Sequence, residues 1–174
     1  MEVVGLWRHP VKSLQGERLE TARLEQDGVE GDRRWGIRDD MTGLLLTARR
    51  RPELLAAGAT YDGDRPRVTL PDGRTTIGPG HETDALLSDW LGHPVSLVAS
   101  AGSEGDRAEF FADATDDTSE AIEWTMPHDT DIFRTLARHH GGLFGVWCQV
   151  VEQAVVSLGD RVEPEDAAQE TAES

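Results

Sequence analysis

The chain has very little cysteine, lysine or tyrosine. Of its 174 residues one is cysteine (Cys148), one is lysine (Lys12) and one is tyrosine (Tyr61). A single cysteine excludes an intramolecular disulfide and a zinc site built from cysteines. Long hydrophobic runs are also lacking. Stretches such as Gly43-Leu44-Leu45-Leu46 and Ala154-Val155-Val156 are far too short to cross a bilayer. The first residues show no basic segment followed by an apolar one, so no export signal is expected and the protein reads as cytoplasmic. Positive charge is scarce: 17 basic residues stand against 33 acidic ones, a formal net charge of −16. A surface this acidic repels nucleic acid, so neither nucleic acid nor a membrane is expected as a partner.

What is present suits a globular chain. Hydrophobic residues make up 37%, and 18 glycines add to them. The length fits one domain, or one and a half small ones, and can bury a core without staples. The charge is uneven. Residues 1–52 carry ten basic and nine acidic residues, and all the remaining imbalance lies after them. An anionic ligand is therefore expected in the N-terminal third.

The pattern predicts a mainly β, barrel-like fold with a few helices. Strands are expected at Glu2–Trp7, Leu19–Leu24, Arg34–Arg38, Leu44–Ala48, Gly58–Tyr61 and Arg67–Leu70. Turn signals separate them at Gly28 to Gly31, Asp39 to Gly43, Asp62-Gly63-Asp64 and Pro71-Asp72-Gly73. Pro52 to Leu55 reads as a short turn or helix entry. A helix capped by Thr83 and closed by Gly92 places Leu86, Leu87, Trp90 and Leu91 at helical spacing, and Val95–Ala99 follows as a strand. Residues 100–130 read as a long loop. A second helix runs from Asp129 or Thr130 to Gly141-Gly142. Val146–Glu152 and Ala154–Leu158 read as closing strands, before an acidic tail that reads as disordered.

Three segments carry candidate chemistry. In Pro10-Val11-Lys12-Ser13-Leu14-Gln15-Gly16 a turn offers the lone lysine, a hydroxyl and backbone N–H groups, which suits a phosphate; the alternative is a solvated loop. In Gly31-Asp32-Arg33-Arg34-Trp35, strand alternation puts Arg33 and Trp35 on one face and Arg34 on the other, so that one arginine could bind an anion bidentately. The alternative is a surface pair with Asp32, worth little. Thr47-Ala48-Arg49-Arg50-Arg51-Pro52 is a basic cluster at a strand end, read as a solvated edge. The acidic run from Asp113 to Glu123 lacks a cation-loop pattern, and the adjacent His139 and His140 do not share a helix face. Metal-ligand spacing is absent.

Trp7-Arg8-His9-Pro10-Val11-Lys12-Ser13, Gly28-Val29-Glu30-Gly31-Asp32-Arg33-Arg34-Trp35 and Leu46-Thr47-Ala48-Arg49-Arg50-Arg51-Pro52, in this order, resemble the N-terminal β-barrel module of the MOSC family. The family, which includes the mitochondrial amidoxime-reducing component, is named for the molybdenum cofactor sulfurase C-terminal domain. The likeness spans residues 1–126. Residues 127–162, with Arg134 to Gly142 and Gly159-Asp160-Arg161-Val162, resemble the closing segment of a MOSC domain, and 163–174 form the tail. The resemblance implies a molybdopterin-type cofactor whose phosphate contacts Lys12, Ser13 and Arg33. It also implies reductive chemistry on N-hydroxylated or sulfur substrates and an electron-transfer partner. The family label further carries pyridoxal phosphate binding.

The chain departs from the pattern after Pro127. The stretch that in relatives carries most of the MOSC barrel, an Arg/Asn pair for the pterin and the cysteine that ligates molybdenum has no counterpart before the closing helix. Cys148 falls in the closing strand, where relatives carry another residue, and Gln153-Ala154 replaces an expected Pro-Gly turn. Three readings follow: a molybdenum-dependent enzyme, a non-catalytic module for a phosphorylated small molecule, or an inactive remnant. Exposed strand edges would be covered by the remaining elements or shared in a homodimer.

Overall fold

A computed structural model describes residues 2–100 and 150–163. The expectations that fall on 101–149 and 164–174, Cys148 among them, lie outside the described residues.

Short antiparallel strands dominate. β1 (Leu6–Arg8) pairs with β2 (Glu17–Leu19), setting Trp7 opposite Arg18. β3 (Thr21–Glu25) lies between β4 (Gly28–Val29) and β10 (Ala154–Ser157). β5 (Trp35–Asp39) pairs with β9 (Val95–Ala99) over five residues. β6 (Gly58–Asp62), β7 (Arg65–Thr69) and β8 (Thr75–Ile77) form a meander. One-residue bridges join these pieces: Val11 to Trp35, Gln15 to Gly58, Arg38 to Leu45 and Glu2 to Arg161. The chain is thus mostly β. Its four small sheets are linked by bridges, and no closed ring of strands forms among the described residues.

Alternation explains the inward faces. Ala59 and Val68 are buried opposite each other on β6 and β7, while Thr60 and Thr69 point outward. α1 (His81–Leu91) buries Thr83, Leu87 and Leu91 at four-residue spacing. Gly92, at φ 77°, closes the helix in the left-handed conformation that glycine adopts at least cost. Asp84 accepts the Leu97 N–H at 2.9 Å, and Ser88 accepts the Val95 N–H at 3.0 Å, so the helix is fastened along β9. The 3-10 helix Pro52–Ala56 inserts Leu54, which is fully buried. The core joins Val11, Leu14, Ile37, Leu54, Val68 and Leu87 among others, with Trp35, Leu46 and Trp90 packed against it.

Several local expectations are revised and one strand, β8, is added: the strand expected at Leu19–Leu24 is split between β2 and β3, and the first strand is confined to Leu6–Arg8. Leu44–Ala48 is not a strand: only Leu45 bridges, because the chain turns at Thr47, whose carbonyl accepts the N–H groups of Arg50 and Arg51. The helix begins two residues before Thr83, with Gly80 at its N-cap. Thr83 instead lies in the first turn, where its hydroxyl donates to the Gly78 carbonyl at 2.6 Å. β8 has only three residues, too few for alternation to show in the sequence. Arg33 belongs to a turn at φ 49°, so the strand argument that set it on the face of Trp35 does not apply to it.

Among the described residues no helix is long and apolar enough to cross a membrane.

Candidate functional site

The segment containing Lys12 is pinned at both ends. Val11 is 0% and Leu14 2% exposed, so two apolar side chains drive the flanks into the core and leave Lys12 and Ser13 half-buried between them. The Leu14 N–H donates to the Val11 carbonyl at 3.3 Å, closing a turn with Lys12 and Ser13 at its corners. Ser13 has φ 70°, at the corner where such turns favour glycine. Below the turn Gly16 passes so close to the Arg8 carbonyl that no side chain fits.

The Arg33 segment lies alongside. His9 N–H donates to Asp32 Oδ1 at 2.6 Å, Arg33 N–H to the His9 carbonyl at 2.7 Å, and Trp35 N–H to the Pro10 carbonyl at 3.0 Å. Lys12 N–H completes the ladder on the Trp35 carbonyl at 2.8 Å. The segment beginning at His9 therefore runs beside the one beginning at Asp32. Arg33 is exposed, and its Nε stands 3.3 Å from Asp32 Oδ2.

The third segment docks on the first through a side chain. Ser13 Oγ accepts the Ala48 N–H at 3.0 Å, which leaves the serine proton able to donate elsewhere. Two of the cluster's arginines are placed differently from a plain solvated edge. Arg51 reaches the Leu91 carbonyl at the C-terminal end of α1, at 3.1 Å, where a cation complements the helix dipole; it also pairs with Glu53 at 2.5 Å. Arg50 is half-buried. Burial is the largest single influence on Glu53 and works against its ionisation, but the Arg51 hydrogen bond, the backbone N–H and the charges of Arg51 and His93 together outweigh it and hold the carboxyl below its ordinary range.

Sequence reasoning named Lys12, Ser13 and Arg33, and the ladder brings their two segments together. It passes over His9 and weighs Asp32 only as the partner in a surface pair, a pair that Asp32 does form with Arg33 while its other oxygen ties the segments through the His9 N–H. The useful signal was an Asp placed directly before the arginine, a residue type that commonly hydrogen-bonds to nearby backbone in turns.

Arg34, on the other side, forms an ion pair with Glu25 at 2.8 Å and lines a separate groove of about 600 Å³ with Arg8, Gly31, Trp35, Tyr61 and Ser100. Arg8 lies 4.6 Å from the Tyr61 ring centre and pairs with Glu17 at 2.7 Å. The Tyr61 hydroxyl donates to the Gly31 carbonyl at 2.9 Å, and burial pushes its pKa above the ordinary value. Lys12, Ser13 and Arg33 do not line this groove.

Positive φ sets two of the three candidate residues apart among the described residues. Among the described residues only two non-glycine positions have positive φ, and they are Ser13 and Arg33. Each holds a conformation that costs an L-residue about 1–2 kcal/mol.

In comparisons with known proteins, the MOSC N-terminal beta barrel domain matches residues 1–118. No curated protein matches the chain in sequence.

Proposed function

Because this chain belongs to the MOSC family through its N-terminal β-barrel domain, we propose that it holds the phosphate of a molybdopterin-type cofactor at Lys12, Ser13 and Arg33. The observation that carries this reading is the coincidence of strain with donors. The two strained non-glycine residues among those described are two of the three named from the sequence as phosphate donors. Backbone strain clusters at binding sites, where it fixes a side chain before the ligand arrives.

The donor set fits the group. A phosphate is an acceptor with strong negative charge. It suits an ammonium, a hydroxyl that already accepts the Ala48 N–H and keeps its proton to donate, and a forked guanidinium. The site also lies in the third of the chain that escapes the overall negative charge. When bound, the cofactor would supply redox chemistry at nitrogen or sulfur substrates. The described residues of this chain would supply capture and orientation.

The test is to purify the protein from a host that makes the cofactor and to assay pterin and molybdenum together. Pterin at about one per chain, lost in Lys12→Ala and Arg33→Ala, supports the reading. Metal alongside pterin extends it to an enzyme, whereas pterin without metal identifies a carrier module. Pterin absent from wild type, or equal in wild type and both variants, overturns it.

A further inference from the structure

We propose that His9 is a positioning residue of this site: its ring and its backbone together hold the turn of Lys12 and Ser13 and the turn of Arg33 in the geometry that meets a phosphate. This rests on the phosphate-site reading above. The ring acts on the first turn. Nδ1 stands 3.2 Å from the Leu14 carbonyl, and a carbonyl only accepts, so Nδ1 carries the proton and donates. Leu14 directly follows Ser13 and is 2% exposed, so its carbonyl is satisfied by the protein rather than by bulk water. The backbone acts on the second turn. The His9 carbonyl accepts the Arg33 N–H at 2.7 Å, and the His9 N–H donates to Asp32 Oδ1 at 2.6 Å. The other oxygen of Asp32 lies 3.3 Å from Arg33 Nε, so the same carboxylate steadies the guanidinium.

Two observations set His9 apart from ordinary packing. Ser13 and Arg33 hold positive φ, at 70° and 49°. Such conformations persist only where the surroundings impose them. His9 bonds to the residue that follows the first and to the N–H of the second. One residue thus constrains both. The ring also has a seat shaped to it. A Cβ at Gly16 would stand 2.8 Å from Nδ1 and 2.9 Å from Cγ, so the ring takes the space that a side chain at 16 would need. An apolar ring would fill that seat equally well. It would remove the donor from the Leu14 carbonyl, and a buried acceptor left unpaired pulls the backbone toward another partner. The His9 side chain therefore acts on the ligand through the turn that carries Lys12 and Ser13.

The experiment titrates inorganic phosphate into the full chain by calorimetry and locates the His9 ring proton by heteronuclear NMR. In the wild type the neutral ring is expected in the Nδ1–H form. His9→Phe keeps the ring and removes the donor, and is expected to bind phosphate about fivefold more weakly, the order of one hydrogen bond. His9→Asn sets an amide donor near the place of Nδ1 and is expected to restore most of the affinity. A ring that serves only as packing would give no such split. Equal losses in the two variants, or a wild-type ring with its proton on Nε2, overturn the role of His9; the ring proton is read on wild type and decides the matter even if His9→Phe does not fold. Wild-type affinity in His9→Phe, with Lys12→Ala impaired, overturns the role of His9 and leaves the phosphate site standing. Unchanged affinity in both, or no binding by wild type, overturns the phosphate site and this inference with it.

Discussion

Gly16→Ala should damage the Lys12 loop through its foundation. A Cβ at position 16 would overlap the Arg8 carbonyl oxygen and would stand 2.8 Å from His9 Nδ1 and 2.9 Å from His9 Cγ. The first obstacle is backbone held in the β1–β2 ladder, where Arg8 faces Glu17, and it cannot swing aside as a side chain would. The second is a ring fixed by a 3.2 Å hydrogen bond between Nδ1 and the Leu14 carbonyl. Relief therefore requires a backbone shift, which in packed surroundings costs about 1–3 kcal/mol. For a chain of this size that is a fall of about 2–12 °C in melting temperature. Because His9 also accepts the Arg33 N–H, the same shift should loosen the ladder between the two donor segments. Circular dichroism melts of wild type and Gly16→Ala, paired with a phosphate titration, measure both effects. A variant with wild-type melting temperature and wild-type phosphate affinity would refute the reasoning.

Other outcomes follow from the packing and from single groups. Leu54→Ala removes a fully buried side chain at the centre of the core and should cost about 2–5 kcal/mol in urea unfolding. A loss below about 1 kcal/mol would show that the 3-10 helix is not anchored there. Tyr61 is the single tyrosine, so tyrosinate absorbance reports it alone. Burial raises its pKa above 10.0, so its contribution to stability is complete below that pH and is lost as pH rises through the raised folded value. An alkaline midpoint at or below 10.0 in the folded protein would contradict its burial. Asp39 accepts the Met41 and Thr42 N–H groups at 2.7 and 3.1 Å, and the Met41 bond in particular lowers its pKa from 3.8. Its contribution should be present above that value and fade as pH falls through the lower folded one, flattening the acid-unfolding profile in Asp39→Asn.

The sequence was most legible where one physical signal dominated. Alternating burial on β6, β7 and β9 and the helical spacing of Leu86, Leu87, Trp90 and Leu91 reported their elements directly. It was least legible where a turn interrupts a run. Leu44 to Ala48 is apolar enough to read as a strand, yet the Thr47 turn and the Ser13 hydrogen bond to Ala48 end it after a single bridge. The Ser13 contact is long-range and side-chain mediated, and no local pattern encodes it. The same holds at the candidate site. Lys12, Ser13 and Arg33 were visible as donor types, but the positive φ of Ser13 and Arg33 follows from contacts with Val11, Leu14 and His9 that only the fold assembles.

The central claim is that Lys12, Ser13 and Arg33 form one phosphate site. Titrating inorganic phosphate while following backbone amide shifts by NMR tests it most directly. The account predicts saturable shifts at Lys12, Ser13 and Arg33, abolished in Lys12→Ala and in Arg33→Ala while the rest of the spectrum stays folded. Shifts confined to another region, such as the start of α1 at His81 to Thr83, or shifts at the site that survive both substitutions, would contradict it.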